Sequence, residues 1–215
     1  MRFLKGAFLA LSVVAAAFTF QAPKANAGLI LVEPHLNYNV WGGSTTTITS
    51  TNSTQEIKYS GPQYGLKLGA QYLGFMGGLI VNQSSFTWRI TNTYNSTPNL
   101  NSATDYKFDR TEVGIFGGYN LPILFRGWAA YYFSNKAENK DTAYLNMNSL
   151  TGVKYTGHTI EIGVGYKGLP FVSINAIYRN VSHDEIEYPT SNTKYPTSVS
   201  NDEFVLGVSA PFSVL

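Results

Sequence analysis

Apolar and polar residues alternate along this chain with a period of two, the spacing at which side chains point to opposite faces of a β-strand. In VEPHLNYNVW (32–41), Val32, Pro34, Leu36, Tyr38 and Val40 form an apolar set, while Glu33, His35, Asn37, Asn39 and Trp41 form a mostly polar one. Residues 61–72 set Pro62, Tyr64, Leu66, Leu68, Ala70 and Tyr72 against Gln63, Lys67, Gln71 and three glycines. Residues 110–119 set Val113, Ile115 and Tyr119 against Arg110, Glu112 and Phe116. Residues 157–167 set Ile160, Ile162, Val164 and Tyr166 against Glu161 and Lys167. The alternation continues through 172–179, with Tyr178 on the apolar side and Arg179 on the other, and near the end, where Glu203 opposes Phe204, Leu206, Val208 and Phe212. Two segments are less regular. Residues 125–136 place Phe125, Tyr131 and Phe133 on one side, with Arg126, Trp128 and Lys136 on the other. Residues 77–90 begin with Leu79 and Val81 in phase and end with Phe86, Trp88 and Ile90 out of phase, which predicts a β-bulge near Gln83 to Ser85. The pattern predicts eight strands.

Connection lengths add the topology. Segments 43–58, 91–107, 137–151 and 182–201 are long and rich in Asn, Ser, Thr and Lys, whereas those around Leu73–Met76, Leu121–Leu124 and Gly168–Pro170 are short. In an up-and-down antiparallel array the long connections all emerge at one end and the short turns at the other, as in bacterial outer-membrane barrels. A weak repeat agrees: GGYNLPILF (117–125) and GYKGLPFVS (165–173) both lead Gly–Tyr into a Leu-Pro turn, and QYLGFMGG (71–78) is a Pro-less version.

The pattern alone does not say which face points inward, and composition decides it. Charged residues are only 13% of the chain, against about 25% in typical soluble domains, while aromatics reach 14%. Tyr72, Tyr119, Phe125, Tyr166 and Phe212 fall on the apolar face near the short turns or the C-terminus; Tyr38, Tyr131, Phe133, Tyr178 and Phe204 fall toward the long connections. Two aromatic rings around a belt are what a lipid-facing surface requires. The apolar face is therefore expected to face lipid, in an all-β, eight-stranded antiparallel up-and-down transmembrane barrel. Closure satisfies every backbone group where no water is available.

At the N-terminus, Arg2 and Lys5 precede an apolar run over 6–20 and Ala25-Asn26-Ala27, the pattern of a cleaved secretory signal over 1–27, with the barrel domain over 28–215. Removing Arg2, Lys5 and Lys24 changes the formal charge from +2 to −1, so charge gives no argument for nucleic-acid binding. With no cysteine, disulfides and thiolate metal sites are excluded.

Taken together, these segments, turns and aromatic rings resemble the small outer-membrane barrels of Gram-negative bacteria, of the OmpA transmembrane-domain and OmpX/Ail type. The resemblance rests on pattern, not on a diagnostic motif, and covers nearly all of 28–215. It implies an outer-membrane location after export, a surround of lipid and lipopolysaccharide, handling by the barrel-insertion machinery, an extracellular partner at the loops, and a monomer. The chain departs from full-length OmpA in ending with its last strand, and from the usual terminal aromatic in ending Phe212-Ser213-Val214-Leu215.

Two places could carry function. Glu33, Lys67, Arg110, Glu112, Arg126, Glu161, Lys167, Arg179 and Glu203 fall on the inferred inner face, where a lumen this narrow is filled by side chains and charges must pair. The four long loops are the other. A hydrolytic enzyme would need a serine–histidine pair with an orienting carboxylate. The three histidines give no such relay by sequence: His35 has no serine nearby, period two puts His158 and Glu161 on opposite faces, and Ser182-His183-Asp184 fall in a long loop. Neither a metal site with ligand spacing nor a cofactor motif is present. The expected function is non-catalytic, in envelope structure, adhesion or surface recognition. The alternative is a low-conductance channel gated by lumen charge pairs.

Overall fold

The computed structural model describes residues 29–48, 53–94, 102–122, 124–141, 144–145, 148–149, 152–189 and 194–214. The expected leader over 1–27 lies outside the described residues, as does Leu215. In chain order the strands are β1 (Leu29–Ile48), β2 (Ser53–Tyr72), β3 (Phe75–Tyr94), β4 (Ser102–Asn120), β5 (Phe125–Asn139), the short ribbon β6 (Tyr144–Leu145) and β7 (Asn148–Ser149), then β8 (Lys154–Leu169), β9 (Val172–Glu187), β10 (Lys194–Ser209) and β11 (Phe212–Val214). The long strands pair antiparallel with their chain neighbours, β5 pairing with β8 past the ribbon, and β10 returns to β1 to close the barrel. His35 faces Ser209 across that seam. After a break at Ala210 and Pro211, β11 completes the eighth stave, with Phe212 opposite Val32.

At the short-turn end, β2 and β3 are joined by Leu73 and Gly74 alone, both with positive φ, the backbone that two-residue hairpins of right-handed twist demand. Phe75 and Tyr119 pack there with ring centroids 4.8 Å apart, and Phe125 and Tyr166 at 5.5 Å. The turn residues Leu73, Leu121, Leu124, Leu169 and Phe171 are themselves exposed, so the apolar belt continues to the end of the barrel.

The long connections are mostly strand. β1 runs to Ile48 and β2 begins at Ser53; β3 runs to Tyr94 and β4 begins at Ser102. Strand length explains the rest. Twenty residues of β1 extend about 66 Å along the strand, or about 50 Å once tilted by about 40°. The lipid-facing band of such barrels is only about 25 Å tall. About half of the tallest staves therefore stands beyond the hydrocarbon, and the expected surface loops are largely β-hairpin extensions.

This extension also corrects the reading of 77–90. β3 has no bulge: it pairs with β4 from Phe75 opposite Tyr119 to Asn92 opposite Ser102 without a slip. Leu79 and Val81 face outward in the belt, while Phe86 and Trp88 face inward higher up. The side chains never change phase; the solvent outside the barrel does. Bulges occur elsewhere. One between Asn39 and Trp41 turns Trp41 outward beside Val40, each about 50% exposed, whereas alternation had put Trp41 on the polar side. Another at Phe133 and Ser134 turns Lys136 outward, against its expected inner placement.

Among the described residues, two apolar clusters lie inside. Leu31, Met76, Ile80, Phe116, Trp128, Tyr132, Ile177 and Val205 line the belt region. Tyr59, Phe86, Trp88, Tyr106 and Phe108 form the second, in the protruding part, with Ile57, Ile90 and Tyr155 packed against it. Trp88 and Phe108 are 4.4 Å apart there.

Candidate functional site

The inward positions of seven strands bring eight of the nine sequence-predicted charges together in the lumen. Toward the turn end, Arg126 makes a two-pronged contact with Glu33, with both Nη–Oε distances 2.6 Å. It also donates to Ser209 Oγ at 2.7 Å and Asn175 Oδ1 at 3.2 Å. Lys67 lies 3.5 Å from Glu33, and its ammonium sits 3.8 Å above the centre of the Trp128 ring. Small residues make the room. A Cβ at Gly163 would collide with the Trp128 indole, and one at Gly165 would come within 2.8 Å of Arg126 Nε.

Above this group, Arg110 and Arg179 share Glu203. Arg110 reaches it at 2.5 and 3.1 Å and Arg179 at 2.8 Å. Arg179 also binds Glu112, and its Nε lies 3.3 Å from Glu161. The carboxylates are held by neutral donors too: Tyr59 to Glu203, Thr159 to Glu112, and both Trp128 and Tyr132 to Glu161, all at 2.7–2.9 Å. Four cations face four carboxylates, and all eight are buried. Such pairing is the condition for keeping ions out of bulk water, since removing one partner strands the other.

Lys167, the ninth predicted residue, lies at the turn-end mouth and donates to Asn120 Oδ1 at 3.0 Å rather than pairing with a carboxylate. Its parity was right but its height put it at the rim. Sequence reasoning singled out neither the neutral partners nor the relay His35–Asn82–Tyr132–Glu161, with contacts of 2.6, 2.7 and 2.8 Å. Their signal was available: all sit on inward positions of the alternation.

No protein-family model and no curated protein sequence matches the chain. Among solved structures it is similar to Neisserial surface protein A, at 16% identity over 85% of this chain and 97% of that one, with a TM-score of 0.51. It is also similar to the outer membrane protein OprG from Pseudomonas aeruginosa (13% identity, 87% and 97% covered, TM-score 0.48) and to the outer membrane protein AlkL (11%, 91% and 96%, 0.49). The fold is that of a small outer-membrane β-barrel.

On the outer wall of this outer-membrane barrel, the predicted girdle residues Tyr38, Tyr72, Tyr119, Phe125, Tyr131, Phe133, Tyr166, Tyr178 and Phe204 are exposed, and Phe212 is half-buried. Trp41, Phe75 and Phe171 join them. The histidines are also redistributed. Ser182, His183 and Asp184 belong to β9 and not to a loop. His183 turns inward against Trp88 and Tyr155, at 6.2 and 5.7 Å between ring centres, while Ser182 and Asp184 face outward. Asp184 Oδ2 lies 2.9 Å from His158 Nδ1.

Proposed function

We propose that the protein is a monomeric outer-membrane scaffold whose lumen is permanently filled and non-catalytic, and whose contacts with the outside are made by the hairpin extensions above the membrane. The observation that carries this reading is the balanced set of four cations and four carboxylates across the lumen, with an aromatic cluster above it. A permeating ion would have to break several charge-assisted contacts and then pass Trp88 and Phe108. Outer-membrane lipid and lipopolysaccharide surround the belt in this role, the barrel-insertion machinery places it there, and the hairpins serve envelope structure, adhesion or recognition.

One observation favours a gated low-conductance channel as a second reading: Arg179 already touches Glu112, Glu161 and Glu203 and so has alternative partners at hand. Planar-bilayer recording of the refolded chain beside Glu161→Ala separates the two. The scaffold reading expects silence from the folded wild-type barrel. Reproducible small steps that change in the variant would replace it with the channel.

A further inference from the structure

The outer wall carries a second chemical feature, independent of the lumen. His158 of β8 is flanked by irregularities in both neighbouring strands. On one side Phe133 and Ser134 together oppose it, in the bulge of β5. On the other, Ser182 is its direct partner, and a register slip frees Asp184 to lean over it. Bulges re-aim side chains and occur next to active sites more often than elsewhere. Here the slip puts a carboxylate on Nδ1 of the imidazole at 2.9 Å, while Nε2 has no hydrogen-bond partner among the described residues.

We propose that Ser182, His158 and Asp184 form an ester-hydrolysing site on the outer wall, acting on acyl esters of outer-leaflet lipid. A carboxylate on Nδ1 fixes the tautomer that leaves Nε2 as the base, which is the division of labour a serine nucleophile needs. Ser182 is the direct cross-strand partner of His158, and directly paired residues hold their Cβ atoms about 4.5–5.5 Å apart. At rest Ser182 Oγ donates to Asn180 Oδ1 at 3.5 Å, and the Asn180 amide nitrogen donates to Asp202 Oδ1 at 2.9 Å and Ser200 Oγ at 3.2 Å.

Height supports the substrate class. Below His158 on β8 the outward residues are Ile160, Ile162 and Val164, all exposed, and the Tyr131 ring lies 6.1 Å from the imidazole. Each outward position climbs about 5 Å in a tilted strand, so the imidazole sits just above the hydrocarbon, at the level where acyl esters join headgroups. In the reaction Ser182 Oγ attacks the ester carbonyl as its proton passes to His158 Nε2. The C–O bond to the lipid alcohol breaks, and that alcohol leaves with the proton. Water then attacks the acyl-serine, giving the free fatty acid and restoring the serine.

The test uses the refolded full barrel in detergent micelles with p-nitrophenyl butyrate as substrate and a fluorophosphonate as label, folding being checked by circular dichroism for each variant. Ser182→Ala and His158→Ala are expected to lower turnover at least ~100-fold and Ser182→Ala to abolish labelling, while Ser134→Ala keeps turnover within about twofold and still labels. Wild-type turnover no higher than that of Ser182→Ala, or loss confined to Ser134→Ala, would overturn the assignment. Because the site lies outside the lumen, neither result bears on whether the barrel conducts.

Discussion

Ile162 and Trp88 are both large, apolar and on long strands of one barrel, yet Ile162 is 60% exposed and Trp88 only 4%. The difference between them is height. In the belt, Ile162, Leu36 and Val208 turn outward while Arg126, Glu161 and Arg179 fill the inside. Above it, Phe86, Trp88 and Phe108 turn inward, and Lys58, Arg89 and Lys107 cover the outside. The embedded half is an inside-out protein, and the protruding half has the ordinary arrangement. One backbone serves both because period-two alternation offers a face to each surround, and burial of a large apolar side chain is worth about 1.5–3 kcal/mol only where water is the alternative.

The largest effects should come from the interiors of both halves. Arg179→Ala leaves Glu161 without its ion-pair partner and takes one cation from each of Glu112 and Glu203, and is expected to destabilise the folded barrel by about 3–5 kcal/mol. Trp88→Ala empties the middle of the aromatic cluster and is expected to cost a similar ~3–5 kcal/mol. Denaturant titration of the barrel in lipid, followed by tryptophan or tyrosine fluorescence, checks both; a loss below about 1 kcal/mol for Trp88→Ala would mean that the protruding half has no working core.

The outer wall should divide the halves more sharply. Ile162→Arg puts a charge against hydrocarbon and is expected to cost about 2–4 kcal/mol. Thr87→Arg, on the outer wall of the protruding half, should stay within about 0.5 kcal/mol of wild type. Equal costs in the same titration would erase the comparison.

The smallest effect concerns the exposed pair Arg89 and Asp105, joined at 2.8 and 2.9 Å above the belt. The hydrogen bond from Arg89 holds the Asp105 carboxyl below its ordinary range. The pair's small contribution is thus present above the usual carboxylate pKa and fades as pH falls through the lowered one. A carboxyl NMR titration should show that depression and its loss in Arg89→Ala; an unchanged midpoint in the variant would remove the pair from the account.

The sequence made the barrel legible because alternation, turn spacing and aromatic placement each reflect a force acting on every strand. Eight of the nine inner charges followed from parity alone. What parity could not supply was height and local slip. Lys167 has inward parity but sits at the rim, and Phe86 and Trp88 looked out of phase because a lipid surround was assumed for the whole strand. Trp41, Lys136 and Asp184 are re-aimed by irregularities in pairing, which depend on a neighbouring strand far away in the chain. For the same reason the contact of His158 with Asp184, 26 residues apart, was invisible before the strands were paired.

The most direct test of height-dependent inversion is a spin-label scan of β3, feasible because the chain has no native cysteine. Single-cysteine labels from 79 to 89 in a lipid-embedded barrel would be probed for collisions with oxygen, which concentrates in lipid, and with a water-soluble nickel chelate. The account predicts oxygen access at 79 and 81, nickel access at 85, 87 and 89, and shielding from both at 86 and 88. Oxygen access at 86 and 88 would mean that the strand does slip between 83 and 85, and would contradict it.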